Sequence, residues 1–171
     1  MIPVTTERLI IRPFTLADAP FILRLLTEPS FIEHIADKGV RTLAQAAEYL
    51  TRGPLASYAA RGHGLWLVQH RVTGNPMGMC GLIQREPLPE VDLGYAFCPE
   101  FWGLGYAREA AEACVTWARD CLGLPGLLAI VSPGNAASIR LLEALDFRFV
   151  KTIEIEPGDP VVLYRRAFDR A

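Results

Sequence analysis

The sequence predicts an α/β domain in which helices pack on the faces of one mixed, mostly antiparallel sheet. Three observations carry that prediction. Apolar runs of strand length alternate with helical stripes along the whole chain. The middle of the chain holds three strand patterns in succession, which marks antiparallel pairing. Strand, helix, strand and helix then follow in turn, as crossover units do. At 171 residues the chain suits one domain spanning 1–171. A hydrophobic fraction of 51% supplies a packed core and argues against disorder.

Leu9-Ile10-Ile11, ending at Arg12-Pro13, reads as the first strand. Thr15 is placed to cap a helix whose stripe is Leu16, Ala19, Leu23 and Leu26, with Pro29 as its boundary. Thr42-Leu43-Ala44-Gln45 has capping-box form and opens a second helix to about Arg52, before Gly53-Pro54. Leu65 to Val68 is a strand, Gly74-Asn75-Pro76 a turn, and Met77 to Ile83 the hairpin partner. In the next strand Val91, Leu93, Tyr95 and Phe97 form an apolar face. Asp92, Gly94, Ala96 and Cys98 form the other, bare enough for a ligand to lie against the backbone.

The longest helix runs from about Gly105 to Leu122. Its stripe is Ala107, Ala110, Ala111, Cys114, Ala118, Cys121 and Leu122, and Gly123 and Pro125 end it. Leu127 to Val131 is a strand. Ser132-Pro133-Gly134-Asn135 then delivers Asn135 as N-cap of a short helix. Phe147 to Ile155 and Val161 to Phe168 close the chain as a strand pair. The tally is about seven strands and about four helices.

A net charge of −2 and a pI near 5.9 give no basic footprint for nucleic acid. No run approaches the ~18 apolar residues of a membrane span. The opening Met1-Ile2-Pro3-Val4 has no basic region followed by an apolar stretch, so no signal peptide is expected. Cys80, Cys98, Cys114 and Cys121 show no Cys-x-x-Cys spacing and read as reduced core thiols, consistent with a cytoplasmic protein. His34, His63 and His70 lack ligand spacing, and no metal is expected.

The chemistry concentrates after the bare strand. Pro99-Glu100-Phe101-Trp102-Gly103-Leu104-Gly105-Tyr106-Ala107 leads straight into a helix. Two glycines at a helix N-terminus free backbone N–H groups for an anion, and the helix dipole adds to the attraction. The same glycines also serve a tight turn that binds nothing. The Gly-Lys-Ser/Thr of a P-loop is missing.

Trp102-Gly103-Leu104-Gly105-Tyr106-Ala107 resembles the Gln/Arg-x-x-Gly-x-Gly/Ala motif of the GNAT superfamily of N-acetyltransferases. With Glu109-Ala110 added, it resembles more closely the ribosomal-protein alanine N-acetyltransferase branch. Trp102 stands where the general motif has Gln or Arg. Asn135-Ala136-Ala137-Ser138 through Leu141-Leu142-Glu143-Ala144-Leu145-Asp146-Phe147 is similar to a second run of that branch, with Asp146 in place of its usual glycine. Thr6-Glu7-Arg8-Leu9-Ile10-Ile11-Arg12-Pro13 is a third match.

The resemblance implies a sheet splayed near its middle that holds acetyl-coenzyme A as co-substrate. It implies a pyrophosphate on the amides of Gly103, Leu104, Gly105, Tyr106 and Ala107 beside Trp102. The pantetheine arm would pair with backbone at Phe97 and Cys98 and touch Asn135, and an N–H near Cys98 would bind the oxyanion. Acetyl transfer to an amine needs a base and a proton for the departing thiolate. Asp92 is the first candidate base, with Glu90 second. Ser138 is the candidate thiolate donor, because the tyrosine common one turn later in the family is Leu142 here. His63 is a candidate to line the acceptor site, with Phe31, Tyr58 and Trp66 to shape it. The acceptor is a primary amine, on a small molecule or a protein N-terminus, and the protein a monomer or homodimer. The alternative is a non-catalytic module that binds coenzyme A or a protein partner.

Overall fold

A computed structural model describes residues 4–169. Met1 to Pro3, from the opening read for a leader, and the last two residues of the expected 1–171 domain lie outside the described residues. Eight strands form one sheet: β1 (Val4–Thr5), β2 (Leu9–Arg12), β3 (Leu65–His70), β4 (Pro76–Ile83), β5 (Asp92–Phe97), β6 (Gly126–Val131), β7 (Arg148–Glu156) and β8 (Asp159–Ala167). Their order is β1-β2-β3-β4-β5-β6-β8-β7. Every pairing is antiparallel except β5 with β6. The mixed, mostly antiparallel sheet is therefore as the sequence predicts, with β1 as the added strand.

Two helical layers cover the sheet. On one face α5 (Tyr106–Asp120) buries Ala110, Ala111, Cys114, Val115 and Ala118 against Leu93, Phe97 and Leu127. Its small side chains let the helix lie close to the strands. In that layer Trp66 meets Trp117 edge to face, with centroids 4.9 Å apart. α6 (Ala136–Ala144) adds Leu142 to the same core. On the other face, α1 (Ala19–Thr27), α2 (Pro29–His34) and α3 (Leu43–Leu50) enclose Phe21, Ile22, Leu25, Leu26, Phe31 and Leu50.

Three sequence expectations shift here. Leu16 is 55% exposed, because Leu16–Asp18 is a 3-10 turn ahead of α1. Its three-residue period breaks the phase of the stripe, so Ala19 and Leu26 face inward as expected, while Phe21, Ile22 and Leu25 join them in place of Leu16 and Leu23. The second helix does not stop near Arg52. Thr51–Leu55 continues it as a π turn, and α4 (Ala56–Arg61) carries it to Gly62 at φ +74°. Pro54 lies inside that turn. A proline cannot donate to the α-helical ladder, and the widened turn accommodates it without ending the helix. Cys121, expected in the core, is exposed, whereas Cys80, Cys98 and Cys114 are buried; all four are free thiols.

Candidate active site

The site grows out of one weak seam. β5 and β6 share a single registered pair, Asp92 with Leu128, where the Leu128 N–H donates to the Val91 carbonyl at 2.9 Å. Beyond that pair the strands part. On the other edge of β5, the Cys98 N–H donates to the Met77 carbonyl at 3.0 Å. Antiparallel ladders alternate, so Ala96 and Gly94 also turn their backbone groups to β4, while Leu93 turns toward Leu128 and only Tyr95 and Phe97 turn theirs to the gap. A cavity of about 970 Å³ occupies the gap and extends beneath α2 and the π turn. Gly94, Tyr95, Ala96 and Phe97 form one wall, and Ala129 to Ser132 form the opposite one.

The glycine turn stands at the cavity's edge. Gly103 and Gly105 have φ of +71° and +82°, a region that glycine enters without steric cost. Gly105 is the N-cap of α5 and offers no capping side chain. The first helical bond runs from the Glu109 N–H to the Gly105 carbonyl at 3.0 Å. The amides of residues 105–108 thus have no acceptor within the helix. They are uncapped donors at the positive end of a fifteen-residue helix.

Arg8 braces this turn. It donates to the Leu104 carbonyl at 2.9 Å, stacks 4.4 Å from the Tyr106 ring centroid, and pairs with Glu109 at 2.7 Å. The same carboxylate accepts from the Thr6 hydroxyl at 2.6 Å and the Arg8 N–H at 2.9 Å. Burial alone would raise the Glu109 pKa, but these bonds outweigh it and hold it below the ordinary range. Two motifs read separately in the sequence are therefore one structural unit.

Of the residues expected to hold the co-substrate, Phe97, Trp102, Gly103, Gly105, Tyr106, Ala107 and Asn135 line the cavity. Leu104 does not, and its carbonyl is taken by Arg8. Cys98 is wholly buried, with its N–H on Met77 and its carbonyl accepting from Phe101 at 3.0 Å. It has no backbone group left for the pantetheine arm or an oxyanion. Burial also pushes its thiol up to about 11. Phe97 keeps its amide toward the gap, while its carbonyl accepts from Trp102 Nε1 at 2.9 Å.

Ser138 lines the cavity, one turn into α6. Asn135 caps that helix by accepting the Ser138 N–H at 3.2 Å. Asp146, just past the helix, keeps the left-handed conformation (φ +62°) that the usual glycine would take. The Ser138 hydroxyl lies 2.6 Å from the Tyr95 hydroxyl. Burial pushes Tyr95 up to about 12, so it stays a neutral phenol with a proton to donate. Sequence reasoning counted Tyr95 only as an apolar member of its strand. A hydroxyl on that face, needing a partner, was the available signal.

The candidate bases do not reach the cavity. Asp92 is fully buried, with Arg85 Nε 3.2 and 3.1 Å from its two oxygens. Glu90 is held by Arg165 at 2.9 and 3.1 Å. Neither lines the gap, but Arg85 does. Asp92 thus holds Arg85, and it is Arg85 that faces the cavity. His63 is also buried outside the cavity, 3.3 Å from the Leu82 carbonyl, whereas His34 and Phe31 line it. Tyr58 donates to the Leu65 carbonyl and accepts from the Phe14 N–H at 3.1 Å.

Burial pushes the Asp92 carboxyl from 3.8 up to about 6, against the pull of Arg85. A raised folded-state value makes the native state hold its proton more tightly. The associated stability is fully present below the unfolded pKa and is lost as pH rises through about 6. It amounts to up to about 3 kcal/mol. Urea unfolding at pH steps from about 4 to about 7 should show a flatter profile for Asp92→Asn than for the parent. An identical slope would remove Asp92 as the titrating group.

A family model described as an acetyltransferase (GNAT) domain matches residues 8–148. YkkB of Bacillus subtilis (strain 168) is 36% identical over 110 residues, covering 62% of this chain and 63% of YkkB, under two-thirds of that protein's length. An acetyltransferase from Agrobacterium tumefaciens str. C58 superposes with a TM-score of 0.82 at 27% identity, over 98% of this chain and 95% of that one. RimL, a ribosomal L7/L12 α-N-protein acetyltransferase in complex with coenzyme A, has a TM-score of 0.84 at 16% identity, over 98% and 99% of the two chains. At that identity the likeness is one of fold.

Proposed function

The chain belongs to the GNAT acetyltransferase family, and from that premise we propose that it transfers an acetyl group from acetyl-coenzyme A to a primary amine, with both substrates bound together. The observation that carries this reading is the pairing of an uncapped, glycine-led helix N-terminus with a strand edge facing an open cavity. RimL, of the same fold, holds coenzyme A.

The amides of residues 105–108 bind the diphosphate. Arg108 and Arg140, which also line the cavity, add positive charge for the phosphates. The backbone of Tyr95 pairs with the amide groups of the pantetheine arm. The Phe97 N–H is the donor we assign to the acetyl oxygen, in place of Cys98. Ser138 gives its proton to the departing sulfur, and Tyr95 donates to Ser138 as it does so. With Asp92 and Glu90 held in ion pairs, the amine loses its proton to water in the cavity. The four free cysteines fit a reducing compartment, and a cytoplasmic location belongs to the same proposal.

The test is calorimetric titration with acetyl-coenzyme A, followed by release of free thiol when primary amines are added. Micromolar binding and amine-dependent thiol release are expected. A protein that binds no acetyl-coenzyme A is not this enzyme.

A further inference from the structure

One region of the cavity is not absorbed by the acetyl-transfer chemistry. Beneath α2 and the π turn, the walls include Phe31, Tyr49, Lys38, Arg61 and Arg85. Lys38 comes from the loop between α2 and α3. It makes no ion pair among the described residues, since its neighbour Asp37 is taken by Arg41 at 2.7 Å. Crowding around Lys38 lowers its pKa, and the nearby positive charge of Arg85 lowers it further. Both cations line the same cavity, and their mutual repulsion favours an anion bound beside them.

Asp92 cancels one of them. It engages only Nε of Arg85, and the two Nη groups have no partner among the described residues. Lys38 and Arg85 together thus present one uncompensated positive charge, a guanidinium edge and an ammonium. That set matches a single carboxylate, which a guanidinium edge binds through two parallel hydrogen bonds. The cavity's carboxylates, Glu156 and Asp159, come from a different element, the β7–β8 hairpin. An acceptor with both an ammonium and a carboxylate has a complementary wall for each.

We propose that the acceptor is an amino acid with an apolar body, whose carboxylate is bound by Lys38 and the Nη groups of Arg85. The proposal rests on the acetyltransferase reading, which it narrows from amines in general to those bearing a carboxylate. A polycationic amine would meet repulsion at this wall.

The test is a binding measurement that needs no turnover. With coenzyme A present, thermal unfolding is followed against L-leucine, L-leucinamide and isovalerate, for the parent and Lys38→Met. L-leucine and isovalerate should raise the midpoint of the parent, and L-leucinamide should not. Lys38→Met should weaken the two carboxylates at least tenfold, measured as the concentration giving half the shift. An equal response to L-leucinamide, no response to either carboxylate, or an unchanged response in Lys38→Met overturns the proposal. Coenzyme A binding is titrated separately. Its failure would count against the acetyltransferase reading, whereas intact coenzyme A binding without carboxylate selectivity would count against this inference alone. Spermidine and a short peptide amide complete the series, and preference for either also overturns it.

Discussion

Replacing Gly103 and Gly105 together by glutamate should weaken acetyl-coenzyme A binding at least a hundredfold, with the far-ultraviolet circular dichroism unchanged. Crowding is not the reason. A Cβ at Gly103 would meet nothing within 4 Å, and one at Gly105 would lie 3.3 Å from Arg8 Nη2, the end of a flexible side chain. Two other effects act. Each positive φ costs a side-chain-bearing residue about 1–2 kcal/mol, which pulls the turn away from its donor geometry. A carboxylate ~4 Å from a phosphate adds repulsion of about 4 kcal/mol at an effective dielectric of ~20. Every ~1.4 kcal/mol is tenfold in affinity, so either effect alone is measurable. Gly105→Ala separates them, since it carries strain without charge and should lose no more than about five- to thirtyfold. Undiminished binding in the double variant would place the phosphates elsewhere.

Ser138→Ala should lower kcat by about a hundredfold, the usual range for loss of a positioned proton donor, with acetyl-coenzyme A affinity unchanged. The variant is clean for a structural reason. Asn135 caps α6 through the backbone N–H of residue 138, which alanine keeps. Tyr95→Phe should show a smaller loss in the same direction, because the serine proton then lacks its replenishing phenol. The readout is thiol release under saturating acetyl-coenzyme A. A kcat within twofold of the parent for Ser138→Ala would assign the proton to another donor.

What was legible in the sequence was local. The glycine turn, the Asn135 cap and the alternation of β5 all depend on residues within a few positions of one another. The site's polar wiring depends on residues brought together from afar. Asp92 lies on the strand face that periodicity gives it, yet its role is decided by Arg85, which arrives from the loop before the strand. Cys98 was expected to offer its backbone to a ligand, but its place at the end of the β4 ladder consumes its N–H. Tyr95 and Ser138 meet across 43 positions, a contact no helical or strand spacing encodes. The π turn was hidden for the opposite reason. Gly53-Pro54 is a strong local stop signal, overridden because the helix can widen by one residue and keep its direction.

The brace at the glycine turn also fixes an order of assembly. Arg8 leaves the ribosome early, and its partner Glu109 is 101 positions later. At the usual 5–20 residues per second, Arg8 waits roughly 5–20 s for its partner during synthesis. Such a long-range closure comes late in folding, after the local hairpins have formed. The glycine turn is therefore completed only when both ends of the chain segment have docked on the same helix. A nascent or partly folded chain contains every residue of that turn but not the fixed turn itself. Under the proposed function, phosphate capture would then mark the closure of the segment from Arg8 to Glu109.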